Sequence, residues 1–156
     1  MCKHEEIMKL GIDEARSTML QNMGGPFGAV VVKEGEVIAV SSNTVLSSHD
    51  PTAHAEVNAI RKASEVLATH DLKGCTLYAT GYPCPMCLSA IIWANIDTVY
   101  YGCNLDDTNE IGFRDDFIYD YIKDPSDSTL LNLIPLSRDD CRALYTEYQR
   151  QEKQMY

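Results

Sequence analysis

Two short segments constrain this chain more than any other feature: His54-Ala55-Glu56 and, further along, Pro83-Cys84-Pro85-Met86-Cys87. Cys84 and Cys87 stand three residues apart, neighbours on one face of a helix, so both thiols can reach a single point. In the first turn of that helix, unpaired backbone N–H groups and the positive end of the dipole favour thiolate over thiol. His54 and Glu56, two residues apart, share no helix face, so both reach one point only if it lies off the end of their helix. The fold must therefore bring two helix N-termini together. One neutral imidazole and two thiolates suit zinc, and three protein ligands leave a fourth tetrahedral position open to water. Glu56 is not needed as a ligand and is available to move protons.

Two blander readings compete. An isolated C-x-x-C is commonly a redox pair, but such a pair follows a strand in a thioredoxin-like unit and leaves His54-x-Glu56 unexplained. A structural zinc site prefers a fourth Cys or His ligand; His4, His49, His70 and Cys75 exist, none at a suggestive spacing. A catalytic zinc centre accounts for more of the residues. Two thiolates roughly cancel the formal charge of zinc, so such a centre acidifies water less than an all-histidine one. A carboxylate base beside it is then useful, and Glu56 is placed to be that base.

Composition narrows the setting. At 156 residues, with 45% hydrophobic and 23% charged residues, the chain is long enough for a real core and reads as one domain, 1–156. The opening MCKHEEIMKLGIDEARSTML carries acids at helical spacing and reads as neither signal nor transit peptide. No apolar run is long enough to span a bilayer, and the expected location is the cytoplasm. Of the six cysteines, the C-x-x-C pair is assigned to metal; Cys2, Cys75, Cys103 and Cys141 are assigned to packing or the surface. The net charge of −10, from 13 Lys+Arg against 23 Asp+Glu, argues for a small substrate and against nucleic acid, whose binding rests on cationic neutralisation of phosphates.

Along the chain, residues 4–22 read as a helix with the apolar stripe Ile7, Leu10, Ile12, Ala15, Met19 and Leu20, broken by Gly24-Gly25-Pro26. Phe27–Lys33 and Val37–Ser42 read as a hairpin around Glu34-Gly35-Glu36. Asp50-Pro51-Thr52 signals a helix running to about Ala68, with Val57, Ile60, Ser64 and Leu67 on one face. Thr76–Thr80 is a strand, Cys84–Ala94 a second apolar helix in which Trp93 is expected to pack, and Thr98–Gly102 a strand. Ile111–Ile122 mixes loop and short helix. Leu131–Leu136 reads as a final strand and 138–153 as an amphipathic helix. Strands alternating with helices point to an α/β sandwich, one mixed sheet with helices on both faces.

The pattern H-x-E…P-C-x-x-C is the signature of zinc nucleobase deaminases. The chain resembles the cytidine deaminase superfamily and is most similar to its bacterial guanine deaminase branch. The resemblance rests on GGPFGAVVVKEG, DPTAHAEVNAIRKA, PCPMCLSAIIWA, IGFRDDFIY and the terminal tyrosine. It implies a three-layer α/β/α domain with a five-stranded mixed sheet, one zinc per subunit, and a homodimer whose C-terminal segment (about 138–156) is swapped to close the partner's site. It also implies zinc ligands His54, Cys84 and Cys87, and Glu56 as the proton shuttle between water, ring nitrogen and leaving amine. By the same resemblance Asn43 hydrogen-bonds the base, Asp115 reads the guanine edge and assists proton transfer, Phe27 walls the pocket and Tyr156 closes it. On the residues alone, Asn43 reads equally as a turn residue, Asp115 as a solvated acid or cap, Phe27 as core and Tyr156 as a frayed end. One residue departs from the branch: Tyr82 stands before Pro83 where Glu is usual, which changes the polarity near the site entrance. The implied reaction is guanine to xanthine with release of ammonia. Other readings are deamination of cytosine or another aminopurine or aminotriazine, deamination of transfer-RNA adenosine, and a zinc-stabilised binding module without catalysis.

Overall fold

The computed structural model describes residues 3–156, so Cys2 lies outside the described residues. The chain divides into two compact units, Met1–Asp115 and Asp116–Tyr156. Unit one holds the sheet. Its elements are α1 (Lys3–Leu20), β1 (Gly28–Lys33), β2 (Glu36–Ser42), α2 (Val45–Ser48), α3 (Ala55–Leu67), β3 (Cys75–Gly81), α4 (Pro85–Trp93), β4 (Thr98–Cys103) and α5 (Leu105–Glu110).

Among the described residues the sheet has four strands, in the order β2-β1-β3-β4. The first three are antiparallel and β4 runs parallel to β3, so the sheet is mixed as expected. Glu34 and Gly35 connect β1 to β2 with positive φ at both residues, 50° and 79°, the backbone twist that a tight two-residue hairpin requires. The expected fifth strand, Leu131–Leu136, is not a strand. Its apolar residues look like β-sequence, but Pro135 cannot donate to a ladder, and no strand of the described residues pairs with it.

Alternation along the strands builds the layers. Val30, Val32 and Tyr78 point to one side and form a cluster with Ile7 of α1, while Ala29, Val31, Leu77 and Ala79 point to the other. That second face meets Ala55, Ala59 and Ala63 of α3 and Ile91 of α4. The buried seam of α3 is thus made of alanines, with Ile60 and Leu67 only partly buried beside it. Small side chains let α3 approach the sheet closely, and that closeness fixes where its N-terminus sits. On the opposite layer, a side chain at Gly28 would collide with the Gly11 backbone, so α1 also packs tightly on β1. The α1 stripe is narrower than its sequence suggests: Ile7, Gly11, Ala15 and Thr18 are buried, whereas Leu10, Ile12, Met19 and Leu20 are exposed. Trp93, expected to pack, is 73% exposed.

Unit two contains α6 (Asp116–Lys123) and α7 (Arg138–Gln149). No residue of either helix is buried, and Leu133, Ile134, Leu136 and Tyr145 are among the most exposed large apolar side chains of the chain. No helix among the described residues is long and apolar enough to cross a membrane.

Candidate metal centre

His54 is the N-cap of α3 and Cys84 the N-cap of α4, both in extended backbone one residue before their helices. The expected helix start at Asp50-Pro51-Thr52 is a turn instead, closed by the Thr52 N–H and hydroxyl donating to the Asp50 carboxylate at 2.8 and 2.7 Å. This turn delays α3 until Ala55 and leaves His54 at its mouth. Pro85, at the first position of α4, has no N–H to leave unpaired and holds a helical φ. Cys87 then falls in the first turn of α4, fully buried.

The two helix ends converge. His54, Cys84 and Cys87 offer ligand atoms that all lie within 4.8 Å of one another, and no other such group occurs among the described residues. Nδ1 of His54 is 3.5 Å from Cys84 Sγ and 3.6 Å from Cys87 Sγ. A tetrahedral zinc with bonds of about 2.3 Å to sulfur and about 2.0 Å to nitrogen requires an S···N separation of about 3.5 Å. The donor set therefore fits zinc in chemistry and in spacing. His4, a candidate fourth ligand on composition, instead has its Nδ1 2.7 Å from the Tyr78 hydroxyl and its ring tilted against that of Tyr100.

The electrostatics agree with a dication site. The Cys87 thiol, then His54 and the Cys87 backbone N–H, hold the Cys84 thiol down at about 4 against burial, so it is a thiolate at neutral pH. The neighbouring Cys84 and its own burial push Cys87 far up, with Glu56 adding to the shift. The pair without metal keeps one proton that a dication would expel. The hydrogen bond with Cys84 raises His54 against its partial burial, and the negative charges of Glu56 and Asp115 add to that, which places Asp115 within electrostatic reach of the centre.

Glu56 is 7% exposed and lies in the first turn of α3. The Cys87 thiol donates to its Oε2 at 3.2 Å. Burial raises its pKa above the usual carboxylate range, opposed by hydrogen bonds from its own backbone N–H and from Cys87. A carboxyl that holds a proton readily, beside a metal centre, is suited to shuttle one.

Asn43 is buried directly after β2. Its Oδ1 accepts the backbone N–H of Val45 at 3.1 Å and of Gly25 at 3.3 Å, and its own N–H donates to the Phe27 carbonyl at 3.0 Å. Only an oxygen can accept those two bonds, so the side-chain NH2 is the group Asn43 has to offer a ligand. Gly24 is required here, because a β-carbon would overlap the carbonyl and Oδ1 of Asn43. Phe27 packs edge-on against Phe113 at 5.1 Å and also borders a mostly apolar groove of about 630 Å³ between α1 and α5. The metal ligands do not line that groove. Tyr82 stacks edge-on against Tyr101 at 5.0 Å. Tyr156 belongs to unit two and is exposed. The contact that holds Asn43 escaped the sequence reading, in which Gly24-Gly25-Pro26 only breaks the preceding helix.

Against known proteins, the profile of the cytidine and deoxycytidylate deaminase zinc-binding region matches residues 1–103. The chain belongs to that family. Within it, this deaminase-family chain is 48% identical over 124 residues to a guanine deaminase from Bacillus subtilis (strain 168), covering 80% of each sequence. The crystal structure of a Bacillus subtilis guanine deaminase superposes with a TM-score of 0.93 at 40% identity, covering 98% of both chains. A tRNA-specific adenosine deaminase from Agrobacterium fabrum is 44% identical over 102 residues, 65% of this chain and 66% of the relative. The tRNA-specific relative matches over a smaller share of the chain than the guanine deaminase does.

Proposed function

We propose that the protein is a zinc-dependent guanine deaminase that converts guanine to xanthine and ammonia. The observation that carries this reading is the convergence of His54, Cys84 and Cys87 with a buried Glu56 whose pKa burial raises, in a chain whose likeness to guanine deaminase extends over nearly its full length. Zinc held by the three ligands supplies, when bound, a Lewis acid and a more acidic water. Glu56 takes a proton from water and hands protons to the ring nitrogen and to the departing amine. Its burial raises its affinity for the proton it takes up, which it then passes to the base. Asn43 presents its NH2 to an acceptor on the base, with the orientation set by Gly25 and Val45. Asp115 reads the opposite, donor-rich edge, and Phe27 covers one face of the ring.

The active form is a homodimer in which the segment from about 138 to 156 closes the partner's site with Tyr156. The exposed apolar residues of unit two support this, since Ile134 and Leu136 are 80% and 84% exposed in the isolated chain. The protein acts in the cytoplasm on a free base and not on nucleic acid, in keeping with its net charge of −10.

Ammonia release measured across guanine, cytosine, adenine, their nucleosides and transfer RNA tests the assignment. Guanine is expected to be the best substrate. Strong turnover of cytosine or of transfer-RNA adenosine with none of guanine would overturn the substrate and leave the deaminase reading. Asp115→Ala is expected to impair guanine turnover by about 1–3 kcal/mol of transition-state stabilisation while zinc content stays unchanged.

A further inference from the structure

We infer that Asn58 is a positioning residue for base recognition: its carboxamide clamps the Ser42–Thr44 turn, and Asn43 with it, to the first turn of the metal-site helix. The inference rests on the reading of Asn43 as a base-binding residue. Asn58 lies in α3, one turn beyond His54, and its backbone N–H donates to the His54 carbonyl at 2.9 Å. Its side-chain Nδ2 donates at 2.9 Å to the Ser42 carbonyl and at 2.9 Å to the Thr44 hydroxyl. A third, longer contact of 3.3 Å reaches the Ala53 carbonyl, which already accepts the Thr44 N–H at 3.0 Å.

Ser42 and Thr44 are the two residues that flank Asn43, and Ala53 is the residue before His54. One planar amide therefore holds both neighbours of the base reader and ties them to the backbone that presents a metal ligand. The turn's other bonds run elsewhere, from the Asn43 N–H to the Phe27 carbonyl, from the Thr44 N–H to the Ala53 carbonyl and between the Thr18 and Ser42 hydroxyls; the Asn58 amide adds the tie to α3. A polar residue near the start of a helix would ordinarily face solvent; here three acceptors gather around one amide nitrogen, which has only two protons to give. The consequence is chemical. With the clamp in place, Asn43 keeps Oδ1 on Gly25 and Val45 and offers N–H, so the position selects a base with an acceptor there and refuses one with an amino group.

The test is a double-mutant cycle between Asn58→Asp and Asn43→Ala in the zinc-loaded enzyme, with guanine as substrate. Asn58→Asp keeps the side chain's shape but turns a donor toward two carbonyls into a carboxylate. The expected result is a KM raised about tenfold, with kcat and zinc content close to wild type. Backbone amides of Gly25 and Val45 should exchange faster with solvent, while those of Ala59 and Ala63 in α3 keep their protection. In the Asn43→Ala background, Asn58→Asp should add no further rise in KM. An undiminished effect in that background, or retained protection of Gly25 and Val45, would overturn the inference and reduce Asn58 to local packing. If Asn58→Asp does not fold, Asn58→Ser, which keeps one donor, is carried through the same cycle. The exchange measurement involves no substrate: a wild type inactive on guanine defeats the guanine reading, and the clamp is then judged on the amides alone.

Discussion

At the scale of single residues, the proposed mechanism separates metal holding from proton transfer. Glu56 lies beside the ligands yet makes no part of the three-ligand group, and burial raises its affinity for a proton. Replacing it with Gln keeps size and polarity and removes the titratable carboxyl. The expected outcome is a fall in turnover of about 10²–10⁴-fold with zinc content unchanged, read by steady-state kinetics beside metal analysis. A near-normal rate in a zinc-replete Glu56→Gln protein would contradict the shuttle. The ligands predict a pH dependence of their own. In the metal-free centre Cys87 is pushed up and keeps its proton, and His54 is raised toward imidazolium. Zinc needs both deprotonated, so its binding expels protons and its affinity falls as pH falls. Competition against a chelator across the neutral range should give affinity rising with pH, whereas a flat profile would mean that these groups do not hold the metal. Alanine at His54, Cys84 or Cys87 should lower zinc content and thermal stability together, because metal binding is coupled to the fold.

At the scale of elements, what was legible in the sequence was what local patterning controls. Short apolar, β-branched runs marked β1 and β2, Glu34-Gly35-Glu36 marked their turn, and the proline before Cys84 marked the start of α4 to within a residue. The i and i+2 spacing of His54 and Glu56 required a metal off the helix end, and the N-cap position of His54 is that arrangement. What depends on a distant partner was not legible. Leu131–Leu136 has strand composition, but whether a strand forms is decided by a neighbour far away in sequence. Helix α5 is polar after Leu105 and has no apolar period; its only signal was the capping box between Asn104 and Asp107, whose side chains bond each other's backbone N–H at 2.9 and 2.8 Å. The loop before β1 belongs to the same class, since Gly24 reads as a breaker until its contact with Asn43 is known. Gly24→Ala would force a β-carbon onto Asn43, the proposed base reader, and displace it while leaving the three metal-site residues in place. The expected outcome is a raised KM for guanine with unchanged zinc content. Unaltered KM in a folded Gly24→Ala protein would show that Asn43 does not bind the base.

At the scale of the whole molecule, the question is what the C-terminal unit is for. Helix α7 has no buried residue, and Leu144 and Tyr145 on it are exposed. The tail beyond it, Gln151-Glu152-Lys153-Gln154-Met155-Tyr156, is polar until its last two residues, which are 79% and 85% exposed. Apolar side chains left in water at the end of a polar tail lose the burial that would favour them, by about 25 cal/mol for each Å². A lid resolves this: an aromatic end covers a flat base, excludes water and strengthens the electrostatics inside. In the proposed dimer the lid belongs to the partner, so activity depends on assembly. Deleting Met155 and Tyr156 should leave folding and zinc content intact and reduce turnover. Mixing that truncated protein with the Glu56→Gln variant, after dissociation and reassembly, should restore part of the activity. In half of each mixed dimer an intact Glu56 then faces an intact tail, although neither parent is active. Absence of recovery despite proven subunit exchange would place each lid on its own subunit, and full activity of the truncated protein would remove the lid from the mechanism.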